Sequence, residues 1–275
     1  MHIENIQSSI NEIFKLQESD ESVFYNLSKE LAEEQIKSLR TYLESFAKKC
    51  SVYEFLSEHF DCELNKTKAT IKQGHCDNYA IERWIDILEI HKNINDLIGY
   101  LTLLQMDAIM TCISLFQATT DTERIMLCKH SYTIIYEALE HNLFKRTARD
   151  MRKYPIELVT KEEIDELWKS IKKDTKKITE KDEAKQVRNK IDAHKSDSFI
   201  EQINTYKQCK WSESIKNLCI LITTIERLQN FVEKINTNTE KLYAEYKVMM
   251  EEHIKQYDNI LKMLQNPDET CVNSK

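Results

Sequence analysis

Residues 79–116 read "YAIERWIDILEIHKNINDLIGYLTLLQMDAIMTCISLF". Trp84, Ile85, Leu88, Ile94, Leu97, Leu101, Leu104, Ala108 and Leu115 recur at the three-and-four spacing of one helical face, which predicts a long core helix. "QATTDTE" ends it, and the same periodicity resumes from about 122 to 153, where Pro155 stops a second long helix. The apolar run 101–116 carries Gln105 and Asp107 and falls short of the ~20 residues that span a bilayer, so it is expected to be a buried helix with no membrane contact.

Working outward, Ile3, Ile6, Ile10, Ile13 and Phe14 keep one helical face before "QESDES" interrupts. Val23 through Phe46 and "SVYEFLSEHF" continue the pattern, and 62–78, holding Gly74, loses it and is expected to be a boundary or long loop. Thr160 with Glu163 forms a capping-box pattern ahead of a Lys-rich amphipathic helix reaching about 178, and Ser198 with Glu201 forms another. Apolar positions from 218 to 264 predict one long helix or a pair broken near "NTNTE", with lapses at Gln229, Asn236, Thr239 and His253. The expected architecture is all-α: an antiparallel helical bundle over 77–236, a helical N-terminal segment over 1–76 and a C-terminal helical extension over 237–275.

Composition agrees. Two Gly and two Pro in 275 residues leave almost no material for hairpin turns, phosphate-cradling loops or dinucleotide fingerprints. The eight Cys stand singly in helical patterns, and the first residues show no secretory signature, which predicts reduced thiols in a cytoplasmic protein. His59, Cys62, His75 and Cys76 are zinc-ligand types, but they lack paired-cysteine or finger spacing, and no metal or cofactor is expected. Net charge is −7, against a general affinity for polyanions. Residues 145–195 nevertheless hold 16 Lys and Arg against 11 Asp and Glu, so a polyanion is expected to dock there. Within this region "HNLFKRTARDMRK" (141–153) sets Lys145, Arg149, Arg152 and Lys153 on neighbouring turns, with Arg146 beside them, as a phosphate rail or as a solvated helix end.

The chemistry concentrates in "QVRNKIDAHKSD", 186–197. In one unbroken helix His194 continues the stripe of Ala184, Val187 and Ile191, while Arg188 points about 120° away and can pair with Asp192. The Ser198 cap implies that the helix ends near 194–197, which frees His194 to turn toward Arg188. A histidine at a helix C-terminus can then serve as acid or base, and a guanidinium can hold the charge growing on a phosphate.

Arg188, Asn189, Lys190, Ala193, His194 and Asp197 together resemble the Arg-polar-x(4)-His motif of the HEPN superfamily, in the Arg-Asp/Asn-Lys-x-x-Ala-His-x-Asp form of abortive-infection and toxin-like members. The resemblance implies a helical bundle, commonly a homodimer, in which Arg and His of two chains line a cleft and cleave RNA through attack of the ribose 2′-hydroxyl. It further implies His194 as general acid/base, Arg188 as anion binder and Asn189 as the orienting group, with Lys190 and Lys195 near the phosphates. An antitoxin or regulatory protein would be a further partner. The alternative is a catalytically silent helical module that binds a partner protein or a nucleotide ligand; the net charge of −7 favours it.

Overall fold

A computed structural model describes residues 21–72, 79–140, 147, 149–179 and 211–265. These residues form an all-α protein, with no strand among them. Five helices carry the architecture: α1 (Glu21–Lys72), α2 (Tyr79–Gln117), α3 (Asp121–Glu140), α4 (Lys161–Thr179) and α5 (Trp211–Gln265). The described residues group into two compact units, divided at Tyr53/Glu54, Asp96/Leu97 and Glu233/Lys234, so that α1, α2 and α5 each contribute a segment to both.

In the larger unit, Cys50 of α1 meets Met106 of α2, sulfur to sulfur at 3.8 Å, and the Lys49 ammonium reaches Glu233 of α5 at 3.4 Å. Gln229 donates to the Thr102 hydroxyl at 3.1 Å, and the Trp211 indole N–H donates to the Leu115 carbonyl at 2.7 Å. The second pair lies thirteen residues further along α2 and eighteen residues back along α5, so these helices run antiparallel. Leu101, Ala108, Leu115, Ile135, Leu218, Leu221, Ile225 and Val232 are wholly or almost wholly buried in this unit. The Trp211 bond has a clear physical role: Leu115 is among the last four residues of α2, whose carbonyls have no partner within the helix.

The smaller unit pairs the second half of α1 with the first half of α2. Lys92 bridges to Asp61 at 2.7 Å and Lys68 to Glu89 at 2.6 Å, an antiparallel register, with Ser57 bonded to Asp96 in the same sense. Phe60, Leu64, Trp84 and Leu88 form its core, with Leu56, Ile85, Tyr243, Tyr246 and Met250 packed around them.

The long helix over 79–116 is observed over Tyr79–Gln117. Within it, Ile81–Gln117 is long and apolar enough to cross a membrane, and half of its most apolar stretch is buried within the protein. The run of 101–116 understates this helix, because a helix absorbs a few polar residues without losing its apolar face.

Two expectations for the other long helices are revised or resolved. The loop expected from residue 62 does not form there: α1 continues through Lys72. Leu64 is buried beside Phe60, and the Thr67 hydroxyl donates to the Glu63 carbonyl at 2.9 Å, so one anchoring side chain and good helix formers carry the helix through a weakly periodic stretch. "NTNTE" does not break α5 either. Thr239 is fully buried and its hydroxyl donates to the Ile235 carbonyl at 2.9 Å, while Asn236 donates to Glu240 at 3.1 Å. Polar side chains that satisfy themselves along the helix axis leave no reason for a break.

Candidate functional site

Arg188, Asn189, Lys190, His194 and Lys195, and with them the expected helix end and the Ser198 cap, lie outside the described residues. So do Lys145 and Arg146 of the basic rail, and His75 and Cys76 of the His/Cys set. Arg149 and Arg152 are described.

The chain around these two arginines is built by a helix end and a tight turn. Tyr154 N–H donates to the Met151 carbonyl at 3.0 Å, Pro155 follows, and Leu158 N–H donates to the Pro155 carbonyl at 3.0 Å. Met151, Leu158 and Val159 are buried and pin the turn to the core. Burial, reinforced by the Asp150 charge, pushes the Tyr154 phenol up to about 12. The cations stand outside this anchor. Arg149 Nε and Lys153 Nζ share the Asp150 carboxylate at 3.5 and 3.1 Å, and Arg152 pairs with Asp165 at the start of α4. These pairs are exposed and weakly held, so their cations remain able to exchange a carboxylate for a phosphate.

Thr160 and Glu163 start α4 as their spacing predicts. Thr160 N–H donates to Glu163 Oε2 at 2.9 Å, and Glu163 N–H donates to Thr160 Oγ1 at 3.2 Å. Ile164, Ile171, Thr175 and Ile178 face the core, and Arg227 of α5 clamps the helix through Ser170 at 2.7 Å and through Asp174. The same reciprocal cap occurs at α3, between Thr120 and Glu123 (3.0 and 3.2 Å). There the backbone N–H groups of Thr120 and Thr119 hold the Glu123 carboxyl below its ordinary range. The Thr-x-x-Glu signal for this second box sits inside "QATTDTE", a stretch whose loss of apolar periodicity marks only the end of the preceding helix.

The smaller unit holds a polar arrangement of which the sequence-based candidates included His59 alone. His91 is buried to 1% exposure, stacked on Phe60 with ring centroids 4.5 Å apart, and met edge-on by Tyr243 at 5.3 Å. Neither ring nitrogen has a hydrogen-bond partner; the backbone of Thr239 favours the protonated ring without reaching bonding geometry. Burial therefore dominates and pulls His91 down to about 4, which leaves the imidazole neutral near pH 7. Beside it, the Tyr243 hydroxyl donates to Glu63 Oε2 at 2.9 Å, and His59 Nε2 lies 3.6 Å from Glu63 Oε1. Burial and then the Glu63 carboxylate push the Tyr243 phenol well above its ordinary range. A visible signal existed: His91 and Asn95 extend the Trp84–Leu88 stripe at spacings of three and four, polar residues at core positions.

Among the described cysteines, Cys112, Cys128 and Cys219 are buried and Cys62 is exposed. Burial pushes Cys128 up to about 11, and the Cys112 thiol, together with burial, raises Cys219 well above its ordinary value. Such thiols are poor nucleophiles. No group of three or more His, Cys, Asp and Glu among the described residues is placed to hold a metal ion.

Taken together, the described residues define an all-α protein of long helices with a basic segment leading into α4. No family model, no curated protein and no solved structure matches the chain.

Proposed function

We propose that this protein is a metal-independent endoribonuclease of the toxin or phage-defence kind, acting as a homodimer. The observation that carries the reading is the spacing of Arg188, Asn189 and His194 in "RNKIDAHKSD". An all-α chain and a cationic segment over 145–195 in a protein of net charge −7 support it.

In this reading His194 takes the proton of a ribose 2′-hydroxyl as the oxygen attacks the adjacent phosphorus. Arg188 holds the charge that accumulates on the phosphate oxygens, and Asn189 orients the pair. The bond to the 5′-oxygen breaks, and that oxygen takes a proton from a second imidazole. One chain supplies one Arg/His pair, so a second copy would provide the complementary acid. Lys190, Lys195 and the rail residues Lys145, Arg146, Arg149 and Arg152 would hold neighbouring phosphates without reading bases.

The test is incubation of purified protein with mixed-sequence RNA in excess EDTA. Cleavage by the parent and loss of at least two orders of magnitude in Arg188→Ala and His194→Ala are expected, the range typical of removing an acid/base or a charge-stabilising group. Equal rates for parent and variants would refute the assignment. The second reading, a silent module that binds a partner protein or nucleotide, is favoured by the net charge of −7 and predicts an inert parent.

A further inference from the structure

The C-terminal half of α4 gathers lysines on one face of the helix. Lys169, Lys172, Lys173 and Lys176 are all exposed and fall within roughly 100° of helical arc, opposite the buried Ile164, Ile171, Thr175 and Ile178. The acids of this helix are segregated toward its start as Glu162, Glu163, Asp165 and Glu166, where Glu163 caps the helix and Asp165 is paired with Arg152. Asp174 is the single acid among the lysines, and Arg227 of α5 engages it. Lys172 lies over the Trp168 ring, 5.5 Å from its centroid, while Lys169, Lys172 and Lys173 make no ion pair among the described residues.

Cations near a helix C-terminus complement the dipole, but that effect fades within the last turn, which includes Lys176 and excludes Lys169, Lys172 and Lys173. Lys169 stands three and four residues before Lys172 and Lys173, so these lysines instead form mutually repelling pairs. A bound polyanion would relieve that repulsion.

The geometry selects among polyanions. From Lys169 to Lys176 the ridge is about 10 Å long and one helix wide, with neighbouring positions roughly 5–6 Å apart, a pitch suited to successive phosphates along a strand. A planar anionic membrane would also approach the rest of the chain, which carries 23 Lys and Arg against 35 Asp and Glu outside 145–195 and would be repelled. We propose that the Lys169, Lys172, Lys173 and Lys176 ridge of α4 is a sequence-independent contact for the backbone phosphates of single-stranded RNA. The inference rests on the reading of this protein as RNA-directed, and it places a phosphate contact on the helix immediately preceding the segment that holds Arg188 and His194.

The experiment uses the full chain carrying His194→Ala, so that binding is measured without cleavage. Fluorescence anisotropy follows a labelled mixed-sequence 20-nucleotide RNA across a salt series, in this background alone and with K169Q/K172Q/K173Q or K169R/K172R/K173R added. Gln and Arg are good helix formers at exposed positions, and an unchanged far-UV circular dichroism spectrum shows that the fold is intact. Affinity should fall at least tenfold near 0.1 M salt in the Gln variant, and the salt slope should drop by roughly 2, about 0.7 for each of three phosphate contacts. The Arg variant should bind like its background. An unchanged slope in the Gln variant overturns the proposal, as does failure of the background protein to bind RNA. Equally tight binding of polyglutamate also overturns it and identifies an acidic-protein surface instead. Cleavage by the parent is measured separately, so failure of the ridge and failure of the ribonuclease reading remain distinguishable.

Discussion

His91 shows what one buried residue imposes on the smaller unit. Its ring is stacked on Phe60 and touched by Tyr243, with no hydrogen bond to either nitrogen, and burial holds it down to about 4 against an ordinary 6.5. Above pH 6.5 the ring is neutral folded or unfolded and costs nothing through protonation. Below that only the unfolded chain takes up the proton, so stability falls as pH drops and about 3 kcal/mol is lost by pH 4. Asp61 adds to the acid loss, because the hydrogen bond from Lys92 lowers its carboxyl, and the capped Glu123 does the same. Urea midpoints of the parent and His91→Phe at pH 7.5 and pH 4.5 separate these contributions. The Phe variant keeps the stacking and should lose distinctly less stability between the two pH values; parallel losses would exclude His91 as the acid-sensitive group. The sequence places His91 on an apolar stripe, but its missing partners depend on which rings α1 and α5 bring to it.

At the scale of the element, the helices are held by their ends as much as by their faces. The Thr160–Glu163 box satisfies backbone donors that α4 cannot satisfy internally, so Thr160→Ala should cost about 1 kcal/mol in denaturant unfolding. Thr120→Ala at α3 should cost about as much through the equivalent bond. An unchanged midpoint in both would mean that these boxes add nothing to stability. Trp211 does the opposite service, capping the α2 carbonyl at Leu115 from α5. Trp211→Phe keeps an aromatic ring but strands that carbonyl, an expected loss of about 1–3 kcal/mol by thermal or urea unfolding. Capping boxes are local, and their four-residue pattern is legible in the linear chain. The Trp211 cap joins residues 96 positions apart and is not. For the same reason α1 runs past residue 62 although its periodicity fades, because Leu64 finds a core built by Trp84 and Leu88.

At the scale of the whole molecule, the ribonuclease reading makes a demand on assembly. Two Arg/His pairs in one cleft need two chains, so multi-angle light scattering should give about 65 kDa, twice the 32.7 kDa of the chain. A strictly monomeric protein that still cuts RNA would exclude the shared-cleft mechanism. Arg188 and His194 are legible as a pair only through their spacing, since reactivity depends on a convergence that linear sequence does not encode. The sequence by itself determined the helical class, the extent of α2, the start of α4 and the basic bias of 145–195, because these follow from periodicity, capping and charge within a few turns of chain. Only the tertiary structure decided the continuity of α1, the partnerless burial of His91 and the neutralisation of Asp174 by Arg227 beneath the lysine ridge. Each of those depends on side chains from distant segments meeting in space, where burial and pairing rather than local propensity set the energy.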